Sequence, residues 1–260
     1  MEVNVKVEEK AIIGRLEKNE LYSSKIYNQL KHLIISGQLK PGALVNEREC
    51  SALLDVSRTP VRDAFRILER EGWVENYGKN RRIAPLRWRD ILDLIEIREP
   101  LDWLLFELAF PKVTQIHIQE MRDIIGEMKH LTDQDKEYYH AMKLDTDFHS
   151  YFAHVSGNRI LIDIQNTMSE KIVRSSVLCM QISQYSASQF ADEHFEIIDS
   201  LEQKNLEKCR ELLREHYDNW KGRLLKIPEL LKFDPSLTEM EIAEEFDNRE
   251  TIKFDKLNKI

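Results

Sequence analysis

Between Trp88 and Leu225 apolar side chains return at every third or fourth position, and nowhere in that span do they settle into the strict alternation of a strand. A 3.6-residue period kept up over so much of a chain commits it to helices that each hide one stripe, so the fold class is mainly α. Six segments carry the pattern: Trp88–Phe110, Thr114–Leu131, Lys136–Val155, Asn158–Ile182, Ser188–Gln203 and Leu206–Leu225. Short polar breaks such as Ser156 to Asn158 and Glu202 to Asn205 part them, and helices joined so tightly are expected to pack as an all-α antiparallel bundle. There is no glycine-rich phosphate loop and no internal repeat, which excludes a Rossmann or P-loop enzyme.

The first third reads differently. After Ser23 and Ser24, the residues Ile26, Leu30, Leu33 and Ile34 define a first helix that Gly37 stops. Pro41 and Gly42 turn the chain, and Asn46 with Glu49 opens a short second helix as a capping box. A third helix follows, with Thr59 as its expected cap and Pro60 in its first position. Val61, Ala64, Phe65 and Leu68 form its buried stripe, and Arg62 and Arg66 share another face. The stretch from Trp73 to Leu86 reads as two short strands around a basic tip of Gly78, Lys79 and Asn80. These elements make a winged helix-turn-helix over residues 21–86, ahead of the helical domain at 87–226. An N-terminal extension, 1–20, and an acidic tail, 227–260, flank them; an extra helix around Glu239 to Phe246 is one reading of the tail.

Charge separates the two parts. Between Leu21 and Arg87 there are 12 lysines and arginines against 7 aspartates and glutamates, in a chain whose formal net charge is −8. A basic module on an acidic body suggests that only the module meets a polyanion. The edge formed by Arg58, Thr59 and Arg62 suits a major groove: helix-start N–H groups and the Ser57 and Thr59 hydroxyls hold phosphates, and an arginine fork meets guanine N7 and O6. No apolar run approaches the roughly 20 residues that cross a bilayer, and the polar start lacks a secretory signal. Cys50, Cys179 and Cys209 are odd in number and lie in apolar patterns, so they read as buried free thiols. The expected compartment is the cytoplasm, with no membrane partner.

Four polar residues break the apolar stripes of the helical domain. Asp145 and His149 lie one turn apart among Ala141, Met142, Phe148 and Phe152; His194 lies among Phe190, Ile197, Ile198 and Leu201; His216 lies among Leu212, Leu213 and Trp220. Any one of them is ordinarily a satisfied core residue, but a buried carboxylate and three buried imidazoles together are expensive unless something pairs with all of them. A divalent cation does so, and this donor set suits Zn²⁺, Ni²⁺, Mn²⁺ or Fe²⁺ better than Ca²⁺, with Zn²⁺ foremost. His32, His117, His130, His140 and His154 fit no stripe and read as surface or ordinary structural residues. Arg98 lies on an apolar stripe with Ile91, Ile95, Leu101 and Leu105, which leaves two readings open: an i,i+4 structural pair with Asp102, or an anchor for a carboxylate ligand.

Residues 21–86 resemble the winged helix-turn-helix of the GntR family of bacterial transcription regulators. The match runs through Gly37-x-Leu39-x-Pro41-Gly42, Glu47-Arg48-Glu49 and Ser57-Arg58-Thr59-Pro60-Val61-Arg62-Asp63-Ala64. The resemblance implies Arg48, Arg58 and Arg62 as the main DNA contacts, Ser57 and Thr59 at phosphates, and Gly78, beside Lys79, at the minor groove. The usual second wing glycine is missing, with Asn80, Arg81 and Arg82 in its region, though the wing stays basic. Residues 88–225 are similar to the helical effector domain (FCD type) of the FadR subfamily. Its metal-binding members carry Asp-x-x-x-His on one helix and single histidines on two later ones, as Asp145, His149, His194 and His216 do here. Arg98 to Asp102 matches its R-x-x-L-E motif with Asp in place of Glu, and six helices suit its shorter branch.

Together these features imply a ligand-responsive, sequence-specific transcription regulator, binding an inverted-repeat DNA operator as a homodimer and sensing a small carboxylate effector at a metal site, with Arg98 assisting. The competing reading is a metal-dependent hydrolase or lyase with an attached nucleic-acid module. It is disfavoured because no general base or nucleophile motif lies beside the ligands, so no catalytic residue is assigned. In a third reading the metal only staples the bundle.

Overall fold

The computed structural model describes residues 22–131, 137–183 and 187–224. The extension 1–20, the tail 227–260 and its proposed helix lie outside the described residues. The chain divides into two compact units between Pro85 and Leu86.

In the first unit, α1 (22–35) gives way at Gly37, whose φ of 72° is the left-handed conformation that favours glycine. Then come β1 (Leu44–Val45), α2 (Glu47–Leu53), α3 (Arg58–Arg70), β2 (Val74–Tyr77) and β3 (Asn80–Ile83). The sheet has the order β1-β3-β2 and is antiparallel throughout, with Val45 opposite Arg81 and Glu75 opposite Arg82. Asn46 is the N-cap of α2 as expected, but its Oδ1 accepts from the Arg48 N–H, at 2.8 Å, and not from Glu49 as the expected capping box would have it. The start of α3 differs from expectation: Ser57, not Thr59, is the N-cap, and Pro60 is the third helical residue. A proline is tolerated there because the first four N–H groups of a helix have no intrahelical acceptor. The stripe Val61, Ala64, Phe65 and Leu68 is fully buried, in one core with Ile26, Leu30, Ile34, Val74 and Ile83.

The second unit is a helical bundle: α4 (Trp88–Ala109), a 3-10 turn (Phe110–Lys112), α5 (Gln115–His130), α6 (Tyr138–Ser156), α7 (Arg159–Ser183), α8 (Ala187–Glu202) and α9 (Leu206–Leu224). Helix α4 runs through Pro100, which gives up one backbone donor. Helix α6 lies at the centre, packed against α4, α5 and α7, while α8 packs against α5 and α9. Phe152 joins two of these layers, its ring centroid 5.5 Å from Phe106 on α4 and 5.3 Å from Phe148 on its own helix. Cys179 and Cys209 are buried free thiols, but Cys50, expected to be buried, is only half-buried. Among the described residues no helix is long and apolar enough to cross a membrane.

Candidate metal centre and DNA-binding edge

Helix α3 presents Ser57, Arg58 and Thr59 at its exposed start and Arg62 one turn later; Arg48 is exposed on α2. Gly78 and Lys79 form the exposed turn between β2 and β3, with Gly78 at φ 64°. A basic wing was expected from Arg81 and Arg82, and here the structure corrects the sequence. Arg82 pairs across the strands with Glu75 at 2.5 Å, and Arg81 is turned inward onto Glu47 and Glu69, at 3.1 and 2.7 Å. Arg81 is thus withdrawn from the wing's surface, while Lys79 is exposed and Arg82 remains about 35% exposed.

In the bundle, α6 supplies Asp145 and His149, α8 supplies His194 and α9 supplies His216; all four are buried, and one ligand atom from each lies within 4.8 Å of all the others. His194 Nε2 is 3.2 Å from Asp145 Oδ1 and 3.4 Å from His149 Nε2, and His149 Nε2 is 3.9 Å from Asp145 Oδ1. Ligands about 2.1 Å from a shared Zn²⁺ stand roughly 3.0 to 4.2 Å apart, so the three spacings among Asp145, His149 and His194 fit a common ion, with His216 close by.

The outer face of each ring decides what its inner face can do. His194 Nδ1 donates to the Phe190 carbonyl at 2.7 Å and His216 Nδ1 to Glu193 Oε2 at 2.8 Å. His149 Nδ1 lies 3.1 Å from Asp102 Oδ2, close but poorly aligned. A neutral imidazole that donates from Nδ1 carries a lone pair on Nε2. His194 and His216 thus keep Nε2 free for a shared ligand, with His194 Nε2 facing the Asp145 carboxylate, an arrangement that either a bound cation or a proton shared with Asp145 relieves. Outer acceptors on each ring are also how histidine ligands are usually oriented.

Electrostatics agree. Burial disfavours the Asp145 anion, yet the Arg98 guanidinium beside it holds its carboxyl well below the usual range. Burial, reinforced by Arg98, pushes His149 down, and burial with His194 beside it pushes His216 down to about 4. Both rings are therefore neutral at pH 7 and ready to ligate. Arg98 makes the i,i+4 pair with Asp102 that its spacing suggested, Nε donating to Oδ2 at 3.4 Å, and its Nη2 also donates to Asp145 Oδ2 at 3.0 Å, a partner from α6 that the spacing does not give.

Two contributors were not anticipated. Tyr217 donates its hydroxyl to Asp102, and Glu193 accepts from His216 while pairing with Arg223. Glu193 immediately precedes His194, about 100° around the helix, so a search along the apolar stripe passes it by. Of the histidines set aside, His117 accepts from the Thr114 N–H in the capping box of α5, and His140 pairs with Glu127 at the surface.

Two family models match the chain: bacterial regulatory proteins, gntR family, over residues 22–80, and the FCD domain over 93–219. An HTH-type transcriptional regulator of Streptomyces ambofaciens, in an unstable DNA locus, is 30% identical over 74% of this chain and 80% of its own length. The HTH-type regulator YdhC of Bacillus subtilis is 27% identical over 79% of this chain and 92% of its own. Among solved structures, E. coli McbR/YncC superposes with a TM-score of 0.62 at 19% identity, covering 79% of this chain and 97% of that one, a likeness that speaks for the fold. These families and relatives are transcription regulators, which removes the hydrolase or lyase reading. The chain belongs to the GntR family and is a DNA-binding transcription regulator whose helical unit is an FCD domain.

Proposed function

We propose that the protein works in the cytoplasm as a homodimer that binds an inverted-repeat operator and adjusts its grip to a small carboxylate effector at a metal centre. The observation that carries this reading is the convergence of Asp145 with three imidazoles whose Nδ1 atoms face outer acceptors, buried in a DNA-binding regulator. Asp145, His149, His194 and His216 hold one divalent cation; the nitrogen-rich set favours Zn²⁺, with Ni²⁺, Mn²⁺ and Fe²⁺ compatible. When bound, the ion supplies open positions at which a carboxylate oxygen replaces water. Arg98 keeps Asp145 ionised and reaches the same effector carboxylate from α4.

On the DNA side, Arg58 and Arg62 read base edges, Ser57 and Thr59 hold phosphates, and Arg48, Gly78 and Lys79 follow the backbone and minor groove. One winged module covers little sequence, so two related copies share an operator. Helix α4 exposes Ile97, Leu104 and Leu108 at heptad-like spacing, and α7, packed on α4, exposes Ile160 and Ile164. That apolar surface suits a second copy. Only residues 84–87 separate β3 from α4, so a shift of α4 on effector binding is passed along the chain to the DNA unit.

The test begins with an operator selected by the wild-type protein from randomised duplexes. Its affinity is then measured with Zn²⁺, Ni²⁺ or Mn²⁺ and a panel of small carboxylates. An effector should shift wild-type affinity by about 5- to 150-fold and do nothing to His194→Ala. The same response in His194→Ala would overturn the sensing role, and chelation that unfolds the bundle without changing the response would mark the metal as a staple.

A further inference from the structure

Arg81 stands where the wing departs from its family's pattern, and the structure shows it engaged with carboxylates of α2 and α3. Side chains alternate along β3, so Arg81 shares the inward face with fully buried Ile83 and is only 14% exposed. Its Nε and Nη2 both donate to Glu47 Oε1 at 3.1 Å, and its Nη1 donates to Glu69 Oε2 at 2.7 Å. One guanidinium thus ties the wing to the first residue of α2 and to the last turn of α3. Beside it, Asn46 Nδ2 donates to Asn80 Oδ1 at 3.0 Å, a second tie between wing and α2.

Glu47 has another oxygen. Its Oε2 lies 3.5 Å from Nε of Arg62, whose side chain is 54% exposed. The carboxylate is therefore shared between an inward arginine that fixes it and an outward arginine that it restrains. A fork held on two carboxylates is a rigid joint, because guanidinium donors are coplanar and bidentate. A restrained Arg62 has less freedom to lose when it meets a base, and Arg81 also neutralises a carboxylate that would otherwise face phosphates.

We propose that Arg81 and Glu47 form a positioning clamp that sets the wing against α2 and α3 and aims Arg62, so that they determine operator selectivity without touching DNA. This rests on the reading of Arg62 as a base contact, and the test separates the two.

Full-length wild type selects its preferred duplex from a randomised library, and each variant is titrated against that duplex and a scrambled one. Arg81→Ala should reduce the ratio of the two affinities by about tenfold while leaving scrambled binding nearly unchanged. Arg81→Lys should not restore it, because a point charge cannot bridge two carboxylates as a fork does. Added to Arg62→Ala, the Arg81→Ala change should cause no further loss of selectivity. Should Arg81→Ala fail to fold, Glu47→Gln, which keeps the side chain's shape, should show the same reduced ratio. Equal loss on both duplexes with rescue by Arg81→Lys would overturn the clamp and make Arg81 a phosphate contact. Selectivity lost in Arg62→Ala but kept in Arg81→Ala and Glu47→Gln would overturn the clamp alone. Selectivity kept in Arg62→Ala would overturn the base-reading assignment, and the clamp with it.

Discussion

Replacing Arg98 by Met removes one guanidinium and strands two buried carboxylates. Arg98 is 3% exposed, donates to Asp145 and Asp102, and lies over the Tyr217 and Trp220 rings, 5.9 and 5.3 Å from their centroids. Methionine keeps much of the apolar stem, so what is lost is chiefly the charge. Asp102 retains the Tyr217 hydroxyl and His149, and most of the penalty falls on Asp145. Breaking a buried pair from one side costs about 3–5 kcal/mol, because the stranded charge keeps its desolvation penalty. Metal-free Arg98→Met should be less stable than wild type by that amount at pH 7, in urea unfolding followed through helical circular dichroism. In wild type the Asp145 carboxyl is held below its ordinary 3.8, so its contribution is complete at neutral pH and lost only as pH falls below that value. Without Arg98 burial prevails, the carboxyl rises, and protonation relieves the stranded charge. The deficit should therefore shrink from pH 7 toward pH 4, and Zn²⁺ should recover part of it at pH 7. A metal-free variant within about 1 kcal/mol of wild type at pH 7 would refute the claim that Arg98 compensates this cluster.

Glu193→Gln should weaken Zn²⁺ binding about 10- to 100-fold in competition with a chelator, because His216 exchanges a carboxylate acceptor, which orients the ring and raises its basicity, for a weaker amide oxygen; unchanged affinity would assign the orientation to something else. The chelated protein should lose stability in mild acid: His216 titrates at about 4 when folded and 6.5 as a free group, so its contribution is complete above 6.5 and gone below 4. That window is worth on the order of 3 kcal/mol and should flatten in His216→Gln. Arg62→Ala should cost about 1–3 kcal/mol on the selected operator and relax one base preference. Lys79→Ala should weaken all duplexes alike and reduce the salt slope by about one, and a base-specific loss there would reassign Lys79.

The bundle was legible because each helix repeats its signal over many turns and stops at a polar break. The four candidate ligands were legible for a related reason, since a carboxylate or imidazole on an apolar stripe contradicts its surroundings. Arg98 was only half legible: Asp102 lies four residues away on the same helix, but Asp145 reaches it from α6, and sequence spacing does not encode that approach. In the wing, three consecutive polar residues precede Ile83, and a strand of four residues is too short to say which of them turns inward. Strand β1, at two residues, carries no period at all. At the start of α3 the preference for proline in the first helical position misplaced the cap, since proline is tolerated throughout the first turn.

The central claim is that Asp145, His149, His194 and His216 face a cation. Its most direct test is X-ray diffraction from crystals of the full-length protein, reconstituted with Zn²⁺ and dialysed, with data collected on both sides of the zinc absorption edge. One anomalous peak should lie among the four side chains, about 2.0–2.2 Å from Asp145 Oδ1 and from an Nε2 of each histidine. Well-ordered side chains with no peak between them, from protein that elemental analysis shows to retain no metal, would contradict the account and leave the cluster as a buried hydrogen-bond network.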